Sequence, residues 1–232
     1  MTAHTKDQLI TEPSTGLQYR VLQQPAHALG RLILMHGVGG NESNFDSIVG
    51  LLDSRLEVLS VRGPLTLRPG SFAWFVVNFG ANGPVIDEAQ AEQARLKILG
   101  FIDALQDVSP LPTAVSGFSQ GSIMSASAGL TAPEKIAAVG LISGRILPEI
   151  APHLPKIEPH TAASNALLKL PVFIAHGEQD ATLPIFWAER ATSMLTELGV
   201  PHQFKRYSHG HEISARVIQD FNAWLVTQLE NL

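Results

Sequence analysis

Short unbroken apolar runs alternate along this chain with longer segments whose apolar positions recur every three or four residues. The first kind reads as buried strand and the second as amphipathic helix. Strands are predicted at Tyr19 to Leu22, Arg31 to Met35, Leu56 to Val61, Ile136 to Ser143 and Pro171 to Ala175. Residues 113–121 read as a strand running into a tight turn, and His202 to Tyr207 alternates like a strand nearer the sheet edge. Asp87 to Val108 is the clearest helix. Ala91, Ala94, Ile98, Phe101, Ile102 and Leu105 fall on one face, and Pro110 and Pro112 stop it. Asn41 to Asp53 follows a helical pattern too, with Phe45, Ile48, Val49 and Leu52 on one side and Asn41 or Ser43 as cap. Further helices are predicted at Ile123 to Leu130, Pro184 to Leu198 with Gly199 as C-cap, and Ile213 to Leu229. Residues 1–16 read as a flexible lead-in or edge strand. Residues 63–84 read as a long irregular stretch, and 144–170 as an irregular excursion over the active edge of the sheet.

Strand and helix alternate from end to end, with no repeat or linker between them. The expected class is therefore α/β: one domain over 1–232, with a mostly parallel, doubly wound sheet and helices on both faces. In such sheets ligands bind beyond the carboxyl ends of the strands. The loops after residues 35, 61, 117, 143, 175 and 207 all lie there, and they carry the unusual residues.

Composition narrows the chemistry. With 232 residues, 45% of them hydrophobic, the chain can bury a sizeable core. A net charge of −5 without a Lys/Arg cluster argues against a nucleic-acid partner. The absence of cysteine excludes disulfides, thiolate metal sites and a cysteine nucleophile. No apolar run reaches membrane-span length, and residues 1–15 lack a signal-peptide core, so a cytoplasmic protein is expected. A homodimer is compatible with this class.

Gly117-Phe118-Ser119-Gln120-Gly121 sits where a strand feeds a small-residue helix. That context puts Ser119 at the apex of a strained turn with its hydroxyl exposed. A serine needs a base, an acid to orient the base, and donors for the oxyanion. Asp180 and His211 follow in loops after two successive strands and are the candidate acid and base. Glu178 competes with Asp180, and His209 with His211. The N–H groups of Val38 and Gln120 are the candidate oxyanion donors. Trp74, Phe75, Ile146 and Leu183 are the expected pocket residues. His36 and His176, each before a glycine at a strand end, read as loop-bracing residues, and no metal site is expected.

The full set resembles the α/β-hydrolase fold, and within it the carboxylesterase/phospholipase branch that includes acyl-protein thioesterases. The resemblance rests on His36-Gly37-Val38-Gly39, Arg68 to Phe75, Gly117-Phe118-Ser119-Gln120-Gly121, His176-Gly177-x-x-Asp180-x-x-x-Pro184 and Gly210-His211. It implies a Ser119–Asp180–His211 triad, an oxyanion hole at Val38 and Gln120, and hydrolysis of small acyl esters of short-to-medium chain without a cofactor. Ser122, the Ser208-His209 pair and the character of 144–170 depart from the branch's pattern. A thioesterase for acyl-protein or acyl-CoA and a non-catalytic binding module are the rival expectations.

Overall fold

Among the described residues, twelve strands and five helices follow one another in chain order. The strands are β1 Ile10–Thr11, β2 Gln18–Gln23, β3 Gly30–Met35, β4 Leu56–Arg62, β5 Leu65–Arg68, β6 Ser71–Ala73, β7 Val77–Gly80, β8 Gly83–Ile86, β9 Thr113–Phe118, β10 Ala138–Ile142, β11 Val172–Gly177 and β12 His202–Tyr207. The helices are α1 Glu88–Val108, α2 Gln120–Thr131, α3 Ala162–Leu167, α4 Phe186–Glu197 and α5 Ala215–Glu230. The computed structural model describes residues 8–80, 83–156 and 161–232. Eight strands form one sheet in the order β1-β2-β4-β3-β9-β10-β11-β12. From β4 to β12 every neighbouring pair is parallel, while β2 runs antiparallel to β4, and β1 to β2.

The unbroken apolar runs are explained by helices on both faces of the sheet. In β3, Ile33 and Met35 point into one core with Val115, Val139, Val172 and Ile174, which α1, α2 and α4 cover. Leu32 and Leu34 point into the other, where Val217, Ile218, Phe221 and Leu225 of α5 pack together with Phe45 and Leu52. Each residue of β3 thus buries its side chain whichever way it faces.

Helix α1 starts at Asp87, whose carboxylate accepts the Gln90 N–H at 3.0 Å. It buries Ala91, Ala94, Ile98, Phe101 and Ile102, the face read from spacing. In α2, every residue from Gln120 to Leu130 is buried. Its small side chains let the helix lie close on β9 and β10. A Cβ at Gly129 would run into the Val139 side chain, and one at Gly121 into the Met35 carbonyl.

Two expectations about the fold are corrected. Residues 41–53 form successive tight turns and a single 3-10 turn at Val49–Leu51, instead of an α-helix. The backbone bonds there span three residues, as from Asn44 to Asn41, Asp46 to Ser43 and Ile48 to Phe45. Asn41 and Asn44 also spend their side-chain oxygens on the N–H groups of Ser43 and Asn41, which favours turns over helix. Phe45 and Leu52 still face the core. The described residues of the 63–84 stretch, 63–80 and 83–84, are likewise more ordered than their composition implies, while 81–82 lie outside the described residues. They make the antiparallel ribbons β5–β6 and β7–β8. Pro69-Gly70 closes the first, with Gly70 at φ +75° as such a turn requires. Residues 144–170 contain a 3-10 segment at Pro148–His153 and the short α3.

Candidate active site

Ser119 lies between the end of β9 and the start of α2 with φ 53° and ψ −114°. A left-handed φ costs a residue with a Cβ about 1–3 kcal/mol and is held only by its surroundings. Here Ser119 N–H donates to the Ile142 carbonyl at 3.0 Å, and the Ile123 N–H donates to the Ser119 carbonyl at 3.1 Å. Glycine on either side permits the turn. A Cβ on Gly117 would lie 2.6 Å from the oxygens of both Gly121 and Met35.

The loop after β12 brings His211 to this apex. His211 Nε2 is 2.9 Å from Ser119 Oγ, and Nδ1 is 2.7 Å from Asp180 Oδ2. Asp180, in the loop after β11, is only 5% exposed. Its Oδ1 accepts the N–H groups of Thr182 and Leu183 at 2.9 and 2.8 Å. Oδ2 is left to accept the His211 Nδ1–H, which frees Nε2 to accept the serine hydroxyl. The Phe118 ring packs on His211 with centroids 4.7 Å apart and fixes the imidazole from its face.

The competitors stand elsewhere. Glu178 is exposed. His209 stacks on Tyr207, and its Nδ1 bonds the Gly210 carbonyl at 2.9 Å. His36 is fully buried and spans two loops. Its Nδ1–H donates to the Gly37 carbonyl at 2.7 Å, and Nε2 accepts the Gly63 N–H at 2.8 Å. Burial pushes its pKa down, and the Gly63 contact requires the neutral ring. His176 is also pushed down by burial, and its Nε2–H donates to the Leu183 carbonyl at 2.7 Å. Among the described residues, no three His, Asp or Glu side chains converge as a metal-binding set.

Val38 lies in the glycine loop after β3, beside Gly39 at φ +81°. Among the described residues, no hydrogen-bond acceptor is found for the N–H of Val38 or of Gln120. Ser119, Val38 and Gln120 line one cleft with Phe75, Val77, Ile86, Ile123, Arg145, Thr182 and Leu183. A second, more open recess lies on the His211 flank, between Gly37, Val38, Asn44, Phe118, Glu212 and Ile213.

Of the expected pocket residues, Phe75 and Leu183 reach the cleft. Trp74 does not: it is fully buried in the core, with its indole N–H on the His36 carbonyl at 2.9 Å. Ile146 does not either. Ser143 adopts φ 50°, and after it successive side chains diverge. Arg145 lines the serine cleft, while Ile146 lines a separate cavity with Trp187 and Met194. Sequence reading missed Val77, Ile86, Ile123, Arg145 and Thr182. Ile123 stands one helical turn past Ser119, so its spacing carried a signal. The others carried none.

The side chain of Gln120 has a structural task. Its Oε1 accepts the Trp74 N–H at 2.8 Å, and its Nε2 donates to the Phe75 carbonyl at 2.7 Å. Gln120→Ala strands both groups in a dry site, at about 1–3 kcal/mol each. A clear drop in melting temperature is expected, measurable by calorimetry.

The model of the phospholipase/carboxylesterase family matches residues 19–229 of this chain. The chain belongs to that family. Acyl-protein thioesterase 1 of Kluyveromyces lactis is 24% identical over 227 residues, covering 91% of this chain and 97% of that protein. The carboxylesterase SOBER1 of Arabidopsis thaliana is 26% identical, covering 72% of this chain and 73% of its own. The crystal structure of acyl-protein thioesterase 2 of Zea mays superposes with a TM-score of 0.76 at 19% identity, covering 91% of this chain and 98% of that one. This confirms the α/β class read from the order of elements and the α/β-hydrolase fold that the motif resemblance implied. Members of the phospholipase/carboxylesterase family hydrolyse esters, and this chain is accordingly an ester hydrolase. Among the described residues no helix is long and apolar enough to cross a membrane.

Proposed function

We propose that this family member is a serine carboxylesterase that turns over small acyl esters through an acyl-enzyme, with Ser119, His211 and Asp180 as its triad. The observation that carries the reading is the continuous hydrogen-bonded line from Ser119 Oγ through the His211 ring to Asp180. Ser119 Oγ attacks the ester carbonyl as His211 Nε2 takes its proton. The negative charge that forms on the carbonyl oxygen is met by the uncommitted N–H groups of Val38 and Gln120, the latter at the positive end of α2. His211 hands the proton to the departing alcohol oxygen. Water, activated by the same imidazole, then attacks the acyl-serine and releases the acid. Asp180 holds the ring in the tautomer these steps need.

A fluorophosphonate probe tests the nucleophile. One equivalent is expected on the folded protein, at the peptide containing Ser119. A folded sample that takes no label, or takes it elsewhere, rejects the assignment.

The name of the Kluyveromyces lactis relative supports thioesters as a second substrate class. The same triad serves a thioester carbonyl. Comparing kcat/KM for an ester and a thioester of identical acyl chain decides which is preferred.

A further inference from the structure

Arg145 is a charged side chain of the serine cleft that the steps above leave unused. It is 7% exposed and lines the cleft beside Ser119. Ser143, in its left-handed conformation two residues earlier, turns the chain to place it there. Its guanidinium carbon lies 4.6 Å from the Trp187 ring centroid. Arg190 approaches the same ring at 5.9 Å. Among the described residues, neither arginine makes a hydrogen bond or ion pair with the protein. Glu149 attracts Arg145 through space, from beyond ion-pair distance, and Arg190 repels it. A guanidinium in a mostly apolar cleft, with its forked donors uncommitted and still open to solvent, is ready to take an incoming anion. Guanidinium geometry matches a carboxylate in two parallel bonds.

The position of the cleft says which part of a substrate it takes. His211 must protonate the leaving oxygen, so the alcohol departs on the His211 flank, where the open recess lies. The Arg145 cleft lies off that flank and receives the acyl chain. Its remaining walls are mostly apolar, from Phe75, Val77, Ile86, Ile123 and Leu183. Its free volume of about 60 Å³ suits a short chain.

We propose that the acyl group of the substrate ends in a carboxylate held by Arg145, so that the preferred substrates are half-esters of short dicarboxylic acids. The assignment rests on the reading of Ser119 as nucleophile. Hydrolysis then consumes water and the half-ester, and releases the alcohol and the dicarboxylate, with the terminal carboxylate unchanged throughout.

The test compares ethyl half-esters of succinate, glutarate and adipate with the corresponding diethyl esters, reading ethanol release. In the wild-type enzyme the best half-ester is expected to exceed its diethyl ester in kcat/KM by about 10–100-fold, the effect of one charge-assisted contact. Arg145→Gln should collapse that ratio, and Arg145→Lys should restore part of it. A wild-type enzyme that hydrolyses the diethyl esters equally well or better overturns the proposal without any variant. So does a ratio that Arg145→Gln leaves in place. Release of ethanol from neither series, with no probe label on Ser119, instead overturns the underlying serine-esterase reading.

Discussion

Ser119→Ala is expected to lower kcat on an ester substrate by about 10⁶-fold while the protein stays folded. The size follows from the mechanism: without Oγ no acyl-enzyme forms, and only binding and oxyanion stabilisation are left to act on water. The fold should tolerate the change. Serine and alanine both carry a Cβ, so the strain at φ 53° is unaltered. The hydroxyl's bond in the structure is to His211 Nε2, so losing it frees the imidazole without stranding a core group. The melting temperature should hold or rise, because nucleophiles are positioned for reaction at some cost in stability. Steady-state kinetics and a thermal melt on the same preparation check both halves. Undiminished turnover by Ser119→Ala would remove Ser119 from the chemistry, and collapse of the melt would leave the kinetics to be repeated with Ser119→Gly.

The strands were readable because burial on two faces leaves little choice of residue. Leu32, Ile33 and Leu34 are all apolar since each meets a different helical layer from its neighbour. The elbow was readable for a related reason. Gly117 and Gly121 stand where main-chain atoms of Met35 leave no room for a Cβ, and such sites put glycine at fixed spacing around one serine. Residues 41–53 misled because their apolar face is real while their backbone is not helical. The same Phe45 and Leu52 reach the core from a string of turns, and periodicity reports the face alone. Trp74 misled in the opposite sense. A large aromatic in a long loop at the active edge reads as pocket wall, yet the side-chain amide of Gln120 and the carbonyl of His36 pin it inward. Those partners lie 46 and 38 residues away in sequence. Arg145 had no signal at all. Its place depends on the backbone of Ser143, and an arginine between glycine and isoleucine carries no periodicity.

Asp180→Asn carries the second large effect, a fall in kcat of about 10⁴-fold with the site left assembled. Asn keeps an oxygen for the Thr182 and Leu183 N–H groups that Oδ1 now accepts. It then presents an amide N–H where Oδ2 stands, facing His211 Nδ1 at 2.7 Å. Two donors cannot share that contact, so the imidazole shifts its proton to Nε2. Nε2 is the nitrogen that must accept from Ser119, and in this tautomer it has no lone pair to offer. Binding groups in the acyl cleft are untouched, so KM should change far less than kcat. Labelling by the fluorophosphonate should slow in step with kcat, since it needs the same proton transfer. The double variant Ser119→Ala with Asp180→Asn is expected to be no slower than Ser119→Ala alone, because the aspartate acts only through the histidine and serine. If the two losses multiplied instead, Asp180 would have to contribute along a route independent of the serine, and the linear relay would be wrong.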